Sequence, residues 1–339
     1  MKLYAAIDLH SNNNVLVILD EQDKTVYERR LPNDLGIVLA QLEPHKPHIE
    51  AIALESTYNW YWLGDGLMEA GYQVKLVNTV EVKTYDGLKY TGDEHDARHL
   101  AHLLRLGVLP TGHIYPKQER AVRDLLRKRG HLVRGRTAQI LSIQNLVVRN
   151  SGKRIRGEAV RSLGEQELSG ICGGDSALMQ AITVSQEVVR SFDKAVREVE
   201  RAVLGQARLK PDFKRLLEID GIGEILGMTI MYEAGSMDRF AKAGNFASYA
   251  RCVGSGRWSN GKKKGAGNRK NGNKYLAWAF VEAAHNAIRY NERAKRFYQR
   301  KKARTNGVVA IKAVAHKLAR ACYRVIRDNT PFEIERAFS

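Results

Sequence analysis

No stretch of this chain approaches the roughly 18 uninterrupted apolar residues that a membrane span requires, and the amino-terminal MKLYAAIDLHSNNN reaches Asp8 before a secretory core could form. Neither a membrane protein nor a secreted one is expected, and the cytoplasm is the expected compartment. Cysteine is scarce: Cys172, Cys252 and Cys322 lie far apart with no CxxC pair, so neither a disulfide framework nor a zinc site is indicated. Acid is scarce in one region, where Arg251 to Arg327 holds 21 basic residues against only Glu282 and Glu292. A run of that composition repels itself unless a polyanion covers it.

What is present complements these absences. At 339 residues the chain exceeds what one core accommodates, and 44% hydrophobic with 27% charged residues excludes a disordered or fibrous chain. The formal net charge of +18 divides unevenly. Residues 1–110 hold 10 basic and 16 acidic residues, leaving 45 and 21 for the remainder. A second basic segment, Lys117 to Arg161, has 13 bases and three acids. The asymmetry marks domains and points the basic part toward nucleic acid.

Three short strand signals open the chain, LYAAIDLH, NNVLVILDE and TVYERRLP, close enough for an antiparallel meander. Helix DLGIVLAQLE, strand IEAIALEST, helix WYWLGDGLMEAG and strand YQVKLVNT follow, which is the layout of a ribonuclease-H-like α/β domain with a mixed sheet. Its end is expected near Leu109-Pro110. From Lys117 to about Gly205 the pattern is helical, and Ile182, Val189, Phe192, Val196, Val199 and Val203 form a heptad seam suited to a coiled-coil pairing with the helix around Val122, Leu125 and Leu126. The glycine-rich stretch Gly164 to Gly174 is the expected break between the two arms. The basic first arm, with Arg127, Lys128 and Arg129, suits a nucleic-acid backbone.

From Pro211 an apolar helix, a turn at Gly221 to Gly223 and a second apolar helix read as a helix-hairpin-helix, whose backbone amides can face a phosphate; the alternative is a tight turn without ligand. The segment RCVGSGRWSNGKKKGAGNRKNGNKYLAWAF reads as a loop leading into an apolar helix. Glycines there permit close approach to a phosphodiester, and Arg257, Lys262, Lys263, Lys264, Arg269, Lys270 and Lys274 neutralise it. Ser259 is embedded among them.

The acidic domain carries its own chemistry. Asp8 sits in the first strand between apolar neighbours, where burial of a carboxylate is costly, and Glu55 ends the fourth strand in a similar setting. Adjacent first and fourth strands would bring them together. Asp93 and Asp96 open the helix DEHDARHLAHLLRLG on one face, with Ala97, Leu100, Ala101 and Leu104 near it, so both acids are expected to point toward the sheet. Structural readings compete: Asp93 as an N-cap, Asp96 as its partner, Glu55 as an edge acid. Four converging carboxylates need a cation, and all-oxygen ligation suits Mg²⁺ or Mn²⁺ and two-metal phosphodiester chemistry.

The quartet Asp8, Glu55, Asp93 and Asp96, in the contexts AIDLH, ALEST and TGDEHDARHLAHLL, resembles the DEDD set of the Piv-type insertion-sequence transposases, a RuvC-like group. The stretch ASYARCVGSGRWSNGKKKGAGNRKNGNKYLAWAF is similar to that family's C-terminal transposase domain, and most similar to the subgroup numbered eleven-eleven of the insertion-sequence family numbered one hundred and ten. The resemblance implies a RuvC-like domain over 1–110, a coiled-coil domain over 111–205 and a mainly helical transposase domain over 206–339. It implies a serine nucleophile, matched here by Ser259 in Ser259-Asn260-Gly261, with Ser255 the second candidate. It further implies a structured noncoding bridge RNA that pairs with donor and target DNA, assembly as a dimer to tetramer, and a nucleoid-associated place in a bacterial cell. The alternatives from other classes are a structure-selective nuclease that uses water, and a noncatalytic nucleic-acid-binding scaffold.

Overall fold

The computed structural model describes residues 1–82, 93–254, 256–265, 267 and 270–338, with the side chains of all of these except Asp93, Glu94, Arg257, Trp258 and Lys263. They form two compact units, Met1–Lys117 and Gln118–Ser339.

In the first unit β1 (Leu3–Leu9), β2 (Asn13–Leu19) and β3 (Thr25–Pro32) are followed by α1 (Leu35–Leu42), β4 (Ile49–Glu55), α2 (Tyr61–Glu69), β5 (Val74–Val77), α3 (Thr79–Val82) and α4 (Asp93–Arg105). The sheet order is β3-β2-β1-β4-β5, with β1 antiparallel to β2 and parallel to β4. This is the mixed sheet that the meander followed by alternating helices and strands calls for. Side-chain alternation sorts the two faces. Ala5, Ile7, Leu9, Leu16, Ile18, Ile52 and Leu54 pack with Val38, Leu42, Leu63 and Leu67 of α1 and α2. Ala6, Val15, Val17, Ala53 and Val77 pack with Ala97, Leu100 and Ala101 of α4. Small Ala6 and Ala53 let α4 settle closely on the second face. On the first, Gly66 of α2 lets α1 approach α2 closely, since a Cβ there would lie 2.3 Å from Leu35 Cδ2.

A clamp fixes α4 in place. Arg98 donates to Thr25 Oγ1 and the Asp23 carbonyl, while His102 Nδ1 and Arg105 Nε meet Asp23 Oδ1 at 2.8 and 3.0 Å. Burial alone would raise the Asp23 carboxyl, but the hydrogen bonds and charges of His102 and Arg105 outweigh it and hold it below its ordinary value.

Among the described residues, the second unit is helical but for one hairpin. Its elements are α5 (Lys117–Ser151), α6 (Ala159–Ser162), α7 (Glu165–Cys172), α8 (Ser176–Ala207), α9 (Pro211–Leu217), α10 (Glu224–Ala234), α11 (Ala243–Tyr249), β6 (Arg257–Ser259), β7 (Lys262–Gly265), α12 (Lys274–Tyr290), α13 (Glu292–Arg304), α14 (Gly307–Arg327) and α15 (Ile334–Ala337). Helices α5 and α8 are joined by an antiparallel set of ion pairs. Arg129 Nε donates to Glu200 Oε1 at 2.6 Å and Arg136 Nη1 to Asp193 Oδ1 at 2.7 Å, so steps forward on one helix match steps backward on the other. Ile182, Val189, Val196 and Val203 of the seam are buried, and Phe192 fills the space left by Gly135, where a Cβ would lie 2.7 Å from its ring. The glycine-rich break contains α7, closed by Gly173 in the left-handed region at φ 60°. Residues on both sides of Gly205 share one core, where Val203 and Ala207 join Phe213, Leu216, Phe246, Phe280 and Leu318.

Asn273, Asn291 and Asn306 cap α12, α13 and α14 through their side-chain oxygens. The three cysteines are free and buried, and burial pushes the Cys252 thiol up to about 12. Among the described residues, no helix is long and apolar enough to cross a membrane.

Candidate active site

Asp8 and Glu55 are brought side by side by strand register. Ile7 pairs with Leu54 across the parallel β1–β4 ladder, which puts the next residues, Asp8 and Glu55, abreast at the same end of both strands. Alternation places them on the α4 face, in line with Ala6 and Ala53. Asp8 is only 4% exposed, and the Glu55 carboxyl is hydrogen-bonded to it. Burial first, then the hydrogen bond to Asp8 and the charges of Asp8 and Asp96, pushes Glu55 up to about 8. Glu55 therefore keeps its proton near neutrality.

Asp96 contributes its charge to this cluster from an exposed position on α4. Ala97, Leu100 and Ala101 take the buried face of the helix, while Asp96 stays exposed with its charge reaching Glu55. The Asp93 side chain lies outside the described residues. Among the described residues, no three Asp, Glu, His or Cys side chains form a group at metal-ligand spacing. The donor chemistry nonetheless fits a hard divalent cation, because oxygen ligands held this close repel one another and retain a proton that such a cation would displace.

Sequence reasoning missed His10. Its Nε2 lies 3.3 Å from Asp8 Oδ2, and its carbonyl accepts from Asn33 Nδ2 and Asn59 Nδ2 at 3.0 and 2.9 Å. The available signal was the Asp-Leu-His spacing, which puts residues two apart on one side of an extended chain.

The second cluster surrounds Ser259. The segment read as a loop contains a β-hairpin, with Ser259 paired to Lys262 across a turn whose central residues, Asn260 and Gly261, have φ of 50° and 72°. Positive φ at both positions defines a type I′ turn, for which Asn-Gly is the favoured pair. Asparagine at 260 therefore has a conformational reason, and the dipeptide was the overlooked hairpin signal. Ser259, Lys262 and Lys264 are exposed. Arg257 and Lys263 are placed by backbone alone, while Ser255 and Arg269 lie outside the described residues. Arg251 ties the far end of this segment down, donating to the carbonyls of Lys270 and Gly272, and Lys270 and Lys274 are exposed beside it.

Other expected phosphate contacts separate on inspection. Gly221 has φ 91°, and a Cβ there would lie 2.3 Å from the Ala283 carbonyl of α12, so this glycine serves helix packing. Gly223 is exposed at the start of α10. Lys128 is exposed, but Arg129 is tied to Glu200 and Arg127 to Glu233. The two arginines are thereby reassigned to internal ion pairs, because each lies opposite an acid that no heptad pattern reveals.

The Arg127–Glu233 pair is bidentate, at 2.6 and 2.8 Å, and Glu233, 1% exposed, also accepts from Asn273 Nδ2 at 2.7 Å. Burial opposes the Arg127 charge, but the hydrogen bonds and charge of Glu233 outweigh it and raise the pKa. Arg127→Ala would strand a buried carboxylate, costing about 3–5 kcal/mol. We expect a fall in Tm of roughly 10 °C by scanning calorimetry. An unchanged Tm would mean that Glu233 finds another partner.

Comparison with known proteins finds transposases. A sequence model described as a transposase, of the DEDD type of IS110, matches residues 5–150, which include Asp8, Glu55, Asp93 and Asp96. A second, described as the transposase IS116/IS110/IS902 family, matches residues 213–299, which include the Ser259 hairpin. A probable family 20 transposase of Pseudomonas aeruginosa is 22% identical over 293 residues, 82% of this chain and 84% of its own length. The transposase for insertion sequence element IS1111A of Coxiella burnetii is 23% identical over 288 residues, 84% of this chain and 77% of its own length. Fold, carboxylates and matches together define a DEDD transposase, a class of enzyme that acts on DNA. Both models describe transposases of the IS110 kind, and they match separate stretches of the chain.

Proposed function

We propose that this transposase is a bridge-RNA-guided serine recombinase that cuts and exchanges DNA strands through a covalent phosphoserine. The observation that carries the reading is the placement of Ser259: an exposed hydroxyl at the mouth of a type I′ turn, paired with Lys262 across a hairpin. In the proposed step a bond forms between Ser259 Oγ and phosphorus, and the bond from phosphorus to one deoxyribose oxygen breaks. The departing oxygen takes up a proton in place of the one Ser259 gives up. Phosphoester energy is thereby retained for rejoining to another strand.

A serine hydroxyl is a weak nucleophile near neutrality. Asp8, Glu55, Asp93 and Asp96 would hold Mg²⁺ or Mn²⁺, which when bound supplies Lewis-acid charge at the scissile phosphate. Arg257, Lys262, Lys263 and Lys264 offset negative charge as the phosphate becomes five-coordinate. Gly223, Lys128, Arg269, Lys270 and Lys274 hold backbone phosphates. On this reading residues 1–110 supply the metal acids, the antiparallel helix pair within 111–205 is a coiled-coil arm for assembly into a dimer or tetramer, and 206–339 present the serine. The expected setting is the nucleoid of a bacterial cell.

Guidance by RNA is tested with RNA that co-purifies with the full-length protein. The expected result is one discrete structured species encoded beside the gene. Strand exchange is then lost when that RNA is digested and restored when it is added back. Heterogeneous RNA together with undiminished exchange after digestion would refute guidance.

A further inference from the structure

A cavity of about 540 Å³ opens in the second unit among α5, α10 and α12, and none of the residues assigned above to cleavage lines it. Gly130 and Arg134 line it from α5, Glu233 from α10, and Lys274, Tyr275 and Trp278 from α12. Its size falls in the range that encloses a small organic molecule. Trp278 is 43% exposed although its neighbours Leu276, Ala279 and Phe280 are fully buried. An indole left open in a concavity, on the solvent side of an amphipathic helix, is an available stacking surface.

The charges around it are sorted. Glu233, the acid of the lining, is already neutralised by Arg127 and bonded to Asn273. The exposed rim is cationic, formed by Arg134 and Lys274. Tyr275 already carries the Arg127 guanidinium at 4.6 Å and the Lys274 ammonium at 5.2 Å from its ring centre. Trp278 is therefore the ring open to a ligand. An aromatic plane inside a pocket with cations at its mouth is the pattern that binds a base and its phosphate together. Bases of an intact duplex are stacked on one another and cannot enter.

We propose that this cavity receives one unstacked base of a DNA strand, the base on Trp278 and its phosphate on Lys274 and Arg134. DNA is favoured over RNA because the aromatic wall begins α12, the helix into which the Ser259 hairpin leads, and Asn273 anchors that junction to Glu233. The proposal deepens the strand-exchange reading by giving a separated strand a place to be held. Its test reads binding alone, so its failure leaves that reading intact.

The measurement is fluorescence anisotropy of full-length, RNA-free protein in a chelator with labelled dT8, a duplex of the same length and rU8. Trp278→Ala is expected to weaken dT8 binding about 5- to 100-fold, the range for loss of one base-stacking ring. Trp278→Phe should stay within about threefold of the parent, since it keeps a ring. Gly130→Leu, which fills the cavity and improves helix propensity, should match the alanine variant. Duplex affinity should change less than about twofold, because backbone contacts dominate it. Unchanged dT8 affinity in both Trp278→Ala and Gly130→Leu overturns the proposal. An equal loss for duplex overturns it as well, by showing a general backbone effect. Tighter rU8 binding with the same Trp278 dependence would assign the cavity to RNA instead. Circular dichroism melting confirms folding, and Gly130→Leu decides the matter if Trp278→Ala does not fold.

Discussion

Ser259→Ala is expected to abolish the denaturant-resistant protein–DNA adduct and to reduce strand exchange on the order of 10⁶-fold, the scale on which removal of a serine nucleophile acts in other enzymes. The argument rests on position. The type I′ turn holds the hydroxyl at a fixed point of an exposed hairpin, and the alanine change leaves that backbone untouched. RNA binding and thermal stability should match the parent. Asn260→Gly is the companion variant, because glycine accepts the φ of 50° found there, and it should retain both adduct and exchange. An undiminished adduct in Ser259→Ala would move the nucleophile elsewhere. Exchange products without any adduct in the parent would favour water as the nucleophile and a resolvase-like nuclease.

Glu55→Gln is expected to reduce strand exchange by about a thousandfold or more, since a ligand that positions Lewis-acid charge is lost, while stabilising the metal-free protein above pH 7. The second effect follows from linkage. Folding raises the Glu55 pKa from 4.5 to about 8, so between these values the folded state binds a proton that the unfolded chain releases. Stability of the metal-free protein therefore falls as pH rises through this window. A neutral amide removes that loss, and a divalent cation added to the parent should remove it too. Thermal melts at pH 5, 7 and 8.5, with and without Mg²⁺, check the sign. A parent whose Tm is flat across this range, with no response to Mg²⁺, would sink both the pair's strain and the metal assignment.

The two acids were legible in sequence because each interrupts a strand of apolar residues, and such an interruption is seldom tolerated without use. Their adjacency required the sheet order, which the meander and the following alternation implied. The hairpin at Ser259 was hidden because lysines, glycines and asparagines mask strand propensity, although Asn260-Gly261 carried the turn. Arg127 and Arg129 looked like surface charge because their partners Glu233 and Glu200 are distant in the chain.

The sequence by itself determined the division of charge, the mixed sheet with its two strand acids, and the serine within a basic segment, because composition, periodicity and local turn chemistry are encoded over short spans. Only the tertiary structure decided which arginines are bound internally, that the charge of exposed Asp96 reaches Glu55 and that Asp8 lies beside His10, and that an open tryptophan faces a cavity among α5, α10 and α12. Those facts depend on contacts between residues far apart in the chain, and burial, not residue type, sets the charge and use of each group.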